Sequence, residues 1–580
     1  MPTPYEKEME HLRSLLAEVE SDEESIDEEN AVDNFLEEHF SDHENFSEHD
    51  TESEEDGDSE NEELNNSEWF FAKDGVKWKK TKFRQNVRTR CFNIVSHLPG
   101  TKGLAKNVTN PLNSWELYID DSMIQIIVEC TNIFIEKCAP NFSRDRDARK
   151  TDALEIRALL GLLYMCGLHK TSRLNVRDLW ATDGTGVSIF RTTMSYKRFL
   201  FLLRCMRFDN IHDRKQRQLY DKLAAIRDFF QSFVTNCQKY YTLGEYVTID
   251  KKLEPFRGRC GFRQYMPKKP AKYGIKIFAL VDARTFYTSN MEVYVGCQPD
   301  GPYKVSNSPD DVVKHFMKPL YKSGRNLTTD NWYTSYKLAK DLLSEKITLV
   351  GTMRKDKRQI PVDFKMCKGR EIHSSIFGFQ QDATLVSYVP KKSKCVILLS
   401  TMHNDDAIDI DTGDAKKPEN ITFYNCTKAA VDVVDEMAAN YSTARKTNRW
   451  PLVIFYSILN VAAINARIAL LSNKDPPILY QKRRRFIKDL ALSLINDYTN
   501  KRMDNPNLSH ELREHLQNSC RPESEEPPKK KLKVASKGRC IFCPRNKDIK
   551  TTGACNLCAN FVCKEHLFSV CNCCLQKSKE

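Results

Sequence analysis

Three aspartates sit in surroundings that could do chemistry: Asp250 in Tyr246-Val247-Thr248-Ile249-Asp250, Asp330 in Thr328-Thr329-Asp330-Asn331-Trp332, and Asp432 in Ala430-Val431-Asp432. Each is expected at the end of a strand or on one face of a helix, where carboxylates from distant stretches can meet around hard divalent cations. Phosphodiester cleavage with Mg²⁺ needs oxygen ligands that tolerate near-octahedral geometry, and two such ions about 3.5 to 4 Å apart stabilise both the attacking and the leaving oxygen. Three carboxylates are the minimum common solution. Asp250 is therefore assigned to bridge two Mg²⁺ ions, with Mn²⁺ as a substitute, while Asp330 and Asp432 each hold one; water, and later a 3′ hydroxyl, is the nucleophile. A single aspartate at an element's end is more often a cap or turn former. The case rests on three acids in one order of elements and on a basic loop after the first. That loop carries Arg257, Arg259, Lys268, Lys269 and Lys272, interleaved with Phe256, Phe262, Tyr265 and Tyr273. Cations with aromatic platforms suit a nucleic-acid backbone with unstacked bases.

A second constellation lies at the C-terminal end, where Cys540-x-x-Cys543, Cys555-x-x-Cys558, Cys563-x-x-His566 and Cys571-x-x-Cys574 form four ligand pairs. Four pairs suffice for two tetrahedral zinc sites. Chelation supplies the folding energy that so short a segment cannot draw from an apolar core, so removing zinc should unfold it. The spacing allows sequential or cross-braced pairing and leaves Cys573 over. A RING-type module is the rival, but a RING has its histidine elsewhere in the ligand order.

The elements that must position these groups follow from periodicity. Residues 112–234 return apolar positions at three- and four-residue steps, as in Ile124–Cys138 and Leu154–Leu168, and predict helices. Tyr246–Ile249, Gly274–Val281 and Tyr287–Val295 are short and rich in β-branched and aromatic residues, which predicts consecutive strands. Ser308-Pro309-Asp310-Asp311 offers an N-cap, a proline at the first helical position and an acid three residues after the cap, opening a helix to about Tyr321. A short strand ending at Asp330, a helix over 333–345 and a strand over 347–353 complete the order strand, strand, strand, helix, strand, helix, strand, which is that of a ribonuclease H-like fold. Residues 384–389 and 394–399 read as strands of a β-rich insertion. Asp432 and Asp435, three residues apart, lie on one helix face. Helical patterning resumes over 452–471 and 485–498.

The fold class read from this is multidomain α/β plus α. Residues 1–66 form a disordered acidic tail, 67–99 a basic segment, and 100–245 and 442–504 two helical segments. Residues 246–356 and 419–441 are the two parts of the catalytic domain, 357–418 its insertion, 505–537 a linker and 538–580 the zinc-binding domain.

Charge is unevenly spread along the 580 residues. Residues 1–66 hold 26 Asp and Glu against 2 Lys and Arg, a charge of −24, so with a net +10 the remainder carries +34. Such a surplus points to a polyanionic partner, because phosphate neutralisation releases condensed counterions. The tail is too polar to offset its ordering entropy. The best apolar run, Val453 to Leu471, contains Asn460, Asn465 and Arg467, and the first residues lack a basic stretch followed by a hydrophobic one. An intracellular protein with no membrane association is therefore expected. Pro527-Pro528-Lys529-Lys530-Lys531-Leu532-Lys533-Val534 reads as a nuclear import signal, which places the protein in the nucleus. The run Lys482-Arg483-Arg484-Arg485 is expected to touch phosphates.

Four blocks carry a family resemblance: Phe256-Arg257-Gly258-Arg259-Cys260, Lys272-Tyr273-Gly274-Ile275-Lys276, Asp330-Asn331-Trp332-Tyr333-Thr334-Ser335 and Arg445-Lys446-Thr447-Asn448-Arg449-Trp450-Pro451. They resemble the signature blocks of piggyBac-family DNA transposases, and the similarity runs from about Trp69 to the C-terminus. The resemblance implies a metal-dependent cut-and-paste transposase with catalytic Asp250, Asp330 and Asp432 and accessory Asp435. Such enzymes bind transposon terminal repeats, excise through hairpin ends and insert at TTAA. It further implies a homodimer that synapses two ends, with 100–245 and 442–504 as the two parts of one helical dimerisation and DNA-binding domain, DNA contact by Arg445, Lys446, Arg449 and Trp450, and a zinc finger that reads transposon-end DNA. It favours the cross-brace, with Cys540, Cys543, Cys563 and His566 on one zinc ion and Cys555, Cys558, Cys571 and Cys574 on the other. One departure stands out: Lys251 follows the first aspartate, where the family is usually acidic. Strand alternation predicts that Lys251 points away from the metals. Two other readings are a domesticated transposase-derived protein that binds DNA or chromatin without transposing, and a zinc-dependent interaction protein.

Overall fold

The computed structural model of the chain describes residues 68–83, 95, 97–267, 269, 271–506, 508, 510–519, 538–547, 549–553 and 561–566. The acidic tail, the import-like segment, Lys268, Cys555, Cys558, Cys571, Cys573 and Cys574 lie outside these residues. The described residues fall into two units, 1–506 and 507–580.

The larger unit is built on an 11-stranded sheet. Its strands are introduced here in chain order. A hairpin of β1 (Trp69–Phe71) and β2 (Lys77–Lys79) comes first; β3 (Gly100–Thr101) and β4 (Tyr241–Thr242) form a separate two-stranded ribbon. Then come β5 (Tyr246–Pro255), β6 (Gln264–Tyr265), β7 (Tyr273–Asp282), β8 (Thr288–Val293), β9 (Asn326–Thr329) and β10 (Thr348–Thr352), followed by β11 (Ser375–Gln380), β12 (Ala383–Lys391) and β13 (Lys394–Ser400). At the centre, β5, β9 and β10 are parallel, while β7 runs antiparallel to β5 and β8 antiparallel to β7. Strands β9 and β10 are buried along their whole length, as parallel strands covered on both faces are, and buried threonines share these positions with apolar residues.

The stretch over 357–418, read as a β-rich insertion, extends the same sheet: β13 pairs with β10, β12 with β13, β11 with β12, and β2 with β11. Its strands could not bury both faces alone, and pairing to the free edge of β10 satisfies their backbone groups. Trp78, 1% exposed, anchors the hairpin by donating Nε1–H to the Gln359 carbonyl at 3.1 Å.

Helices cover the sheet. Ser308 caps the Pro309–Met317 helix as its sequence predicts, accepting from the Asp311 N–H; the helix ends sooner than expected, and Pro319 then sits in a 3₁₀ turn over Lys318–Leu320. Helices from both 111–240 and 450–503 pack together. At their closest crossing, Ala153–Leu168 meets Arg483–Met503 so tightly that a Cβ on Gly161 would lie 2.7 Å from the Ala491 carbonyl oxygen. Here Glu155, 2% exposed, accepts from Thr151, Arg149 and Tyr498 at 2.8, 3.1 and 3.1 Å and from Arg198. Burial is the largest single influence and raises its pKa, but Arg198, Thr151 and Arg149 together hold the carboxyl below its usual range.

Trp450–Leu471 is long and apolar enough to cross a membrane, with mean hydropathy 1.7, but 89% of its apolar window is buried inside the protein. Its buried asparagines have internal work. Asn465 accepts from the Thr288 N–H at 2.9 Å and donates to its carbonyl at 2.8 Å, while Asn460 accepts from the Thr443 N–H and hydroxyl at 3.0 and 2.9 Å.

Candidate nucleic-acid processing site

Asp250 lies inside β5 rather than at its end. The functional end is that of its neighbour: β9 stops at Thr329, paired with Ile249, so the next residues of both strands, Asp250 and Asp330, emerge where the parallel ladder ceases. A turn then fixes Asp330, whose Oδ1 accepts from the Trp332 N–H at 2.9 Å and whose carbonyl accepts from the Thr334 hydroxyl at 2.8 Å. This turn packs on β10, where Gly351 has no room for a side chain: a Cβ would meet Thr334 Oγ1 at 2.3 Å and the Thr329 carbonyl oxygen at 2.8 Å.

The third acid arrives on the helix Ala430–Asn440, in its first turn. Just before that helix, Thr427 is tied to both central strands; its carbonyl accepts from Thr248 at 2.7 Å and its hydroxyl shares a 2.8 Å bond with Thr328. Asp432 and Asp435 therefore face β5, and Lys252 Nζ on β5 lies 3.2 Å from Asp435 and 2.9 Å from Glu254.

The carboxylates feel one another. Burial first, then the charges of Asp330 and Asp432, push the Asp250 carboxyl up to about 8. Its Oδ1 is buried without a hydrogen-bond partner. Hard oxygen donors and an orphaned carboxylate oxygen fit a divalent cation, with Asp250, Asp330 and Asp432 as the residues that would hold it. They are not closed to bridging distance, however. Among the described residues, only Cys540, Cys543, Cys563 and His566 gather ligand atoms within 4.8 Å of one another. Asp330 and Asp432 are each neutralised by a lysine, Lys251 Nζ at 2.6 Å from Asp330 Oδ2 and Lys269 Nζ at 3.1 Å from Asp432 Oδ1.

Lys251 thus corrects an expectation. Alternation does put it on the strand face opposite Asp250, level with Phe278 of β7. Asp330 has already left the sheet, and a four-carbon arm reaches round to it. The sequence reading also missed Lys276, whose Nζ sits over Trp332, Phe278 and Tyr294 at 4.4, 4.6 and 4.8 Å from their centroids. Burial, and then Lys251, lower its pKa to about 8. The quoted Lys272–Lys276 block contained it, but nothing in spacing announced an aromatic cage.

Of the expected DNA-contacting residues, Arg257, Arg259, Lys272 and Lys446 are exposed. Arg445 is not available: it is 8% exposed and donates to the carbonyls of Thr171 and Leu174. Arg449 likewise donates to the carbonyls of Leu203, Arg204 and Met206. In the 482–485 run, Arg483 is buried on the Met437 carbonyl and Arg484 donates to Leu168 at 3.0 Å. Guanidiniums brace backbone carbonyls where two segments meet, a use that a charge count cannot separate from phosphate binding. Trp450 is half-buried, edge-on to Phe262 at 5.0 Å. It helps line a cleft of about 230 Å³ with Arg207, Arg214, Gln218 and Arg449. Burial and the neighbouring Arg449 and Arg214 push the Arg207 pKa down to about 9, so this cleft favours an anion.

In the C-terminal unit, Cys563 Sγ lies 3.1 Å from His566 Nδ1 and Cys543 Sγ 3.7 Å from Cys563 Sγ. A zinc tetrahedron with bonds of about 2.3 Å to sulfur has edges of about 3.8 Å, so these four donors fit one ion. Hydrogen bonding from the Cys563 backbone lowers the Cys540 thiol to about 6, toward the thiolate a metal needs.

The transposase family profile described as Transposase IS4 matches residues 110–467. The chain belongs to the piggyBac family of transposases. It is 34% identical to a chain of the piggyBac transposase synaptic complex with hairpin DNA solved by cryo-EM, covering 82% of this chain and all of that one with a TM-score of 0.68. Human PiggyBac transposable element-derived protein 3 is 22% identical over 367 residues, 60% of this chain and 60% of that protein. Human PiggyBac transposable element-derived protein 2 is 21% identical over 460 residues, 76% of this chain and 74% of the relative.

Proposed function

We propose that the chain is a cut-and-paste DNA transposase that binds transposon terminal repeats, excises the element through hairpin ends and integrates it at TTAA. The observation that carries this reading is the meeting of Asp250, Asp330 and the Asp432 helix at the point where β9 ends. The strand order β8, β7, β5, β9, β10, with only β5, β9 and β10 parallel, supports a ribonuclease H-like core.

Mg²⁺, held by Asp250, Asp330 and Asp432, would stabilise charge on the attacking and leaving oxygens of the phosphodiester. The chain's own residues do the rest. Lys251 and Lys269, which neutralise Asp330 and Asp432 in the free site, supply positive charge to an incoming phosphate. Arg257, Arg259 and Lys272 track the DNA backbone, while the Arg207 and Arg214 cleft beside Trp450 receives a displaced phosphate or base. A Cβ on Gly258 would lie 2.8 Å from the Asn448 carbonyl oxygen, so glycine lets the arginine loop press against the segment leading to Trp450. The helical part pairs two copies on two transposon ends, the zinc-binding unit reads end DNA, and the segment 527–534 directs the protein to the nucleus.

A plasmid excision assay with matched terminal repeats tests this. Precise TTAA repair should appear with the wild type and vanish with Asp250→Asn, Asp330→Asn or Asp432→Asn. A second reading, a transposase-derived DNA-binding protein without transposition, is favoured by Lys251 sitting on Asp330. That reading holds if DNA binds but no nick forms with Mg²⁺ or Mn²⁺.

A further inference from the structure

Away from the acids, two cysteines that take no part in either metal constellation meet where the segment after the Val362–Lys365 helix reaches β13. Cys395 on β13 is 7% exposed, and its Sγ lies 2.9 Å from the Sγ of Cys367, which follows the Val362–Lys365 helix. The segment bearing Cys367 is held there by specific bonds. Arg370 donates to the Ser387 hydroxyl and carbonyl, both at 2.7 Å, and Ser387 donates to the Phe364 carbonyl at 2.8 Å. Cys367 is partly exposed, and the Lys355 ammonium lies 3.7 Å from its sulfur.

From this juxtaposition we infer that Cys367 and Cys395 form a reversible dithiol–disulfide site that is oxidised by low-molecular-weight disulfides such as oxidised glutathione. The roles of the two sulfurs differ. Cys367, the sulfur of the pair that solvent reaches more readily, loses its proton to the buffer and attacks one sulfur of the small disulfide, forming a mixed disulfide and expelling one glutathione thiolate. Cys395, kept as the thiol by burial and by Cys367, with a pKa pushed up to about 11, then attacks the Cys367 sulfur. Its proton goes to the departing second glutathione thiolate. The balance is two protein thiols and one oxidised glutathione giving one protein disulfide and two reduced glutathiones. Intracellular disulfides of this kind are usually transient and redox-sensing rather than structural.

The experiment uses the full-length, zinc-loaded protein equilibrated in buffers of varied oxidised and reduced glutathione, quenched with an alkylating agent and read by peptide mass spectrometry. A peptide cross-linked through Cys367 and Cys395 should rise with oxidising poise, with two protein thiols lost per chain and zinc retained. Dithiothreitol should reverse it. Cys367→Ser should abolish the cross-link and leave Cys395 unmodified. Cys395→Ser should stop the reaction at the Cys367 glutathione adduct, which distinguishes loss of the second step from misfolding. Recovery of both cysteines alkylated at every poise, or Cys367 linked stably to glutathione in the wild type, would overturn the assignment.

Discussion

At the residue scale, the behaviour of Asp250 follows from where it sits. Its carboxyl, pushed up to about 8 by burial and then by two nearby carboxylates, binds a proton more tightly folded than unfolded, where the pKa is about 4. Its contribution to stability without added Mg²⁺ is therefore fully present below the unfolded value and is lost as pH rises through about 8. Calorimetry should show the Tm of the wild type falling relative to that of Asp250→Asn across that window; a constant difference between the two proteins would count against the placement. Lys251 competes for Asp330 at 2.6 Å. Lys251→Gln should tighten Mn²⁺ binding about tenfold in isothermal titration, the size expected when one charge leaves a partly solvated site. Unchanged or weaker binding would mean that the lysine does not oppose the ion. The three aspartates were legible in the sequence because each stands in a distinct block. The ionic partners were not, because Lys251 and Lys269 reach their acids across 79 and 163 residues.

The elements explain why the acids meet. Thr427 is bonded to both β5 and β9, which aims the Asp432 helix, and Gly351 leaves room for the turn that carries Asp330. Gly351→Ala should cost about 1 to 3 kcal/mol in urea unfolding, the usual penalty for forcing bulk into a filled site. A silent substitution would show that the turn yields. The order of strands and helices from 246 to 353 was readable, since alternation, caps and apolar runs all agreed there. Helices such as Asp121–Cys138 and Trp450–Leu471 were also found close to their observed bounds. The continuity of the sheet through β11, β12 and β13 was not. Pairing partners are set by which edge is free in three dimensions, and the short β1–β2 hairpin carries too little pattern to announce itself. The bracing bonds of arginines 445, 449, 483 and 484 were hidden for a related reason: their carbonyl partners are contributed by other elements.

At the scale of the whole molecule, the described residues form two compact units, the larger with an extended apolar core and the smaller with a cluster of three cysteines and one histidine that fits a zinc ion. If the cluster holds zinc, chelation should unfold the smaller unit while leaving the Tm of the larger unit within about a degree of its starting value, as expected of units that melt separately. Circular dichroism and calorimetry with and without chelator would separate the two transitions; simultaneous melting would contradict their independence. The central claim concerns the larger unit, that Asp250, Asp330 and Asp432 together hold divalent metal. Anomalous diffraction from crystals of the DNA-bound protein grown with Mn²⁺ tests it most directly. The account predicts manganese peaks coordinated by all three carboxylates, with Lys251 displaced from Asp330. Manganese absent from these carboxylates at saturating concentration, with Lys251 still on Asp330, would contradict it.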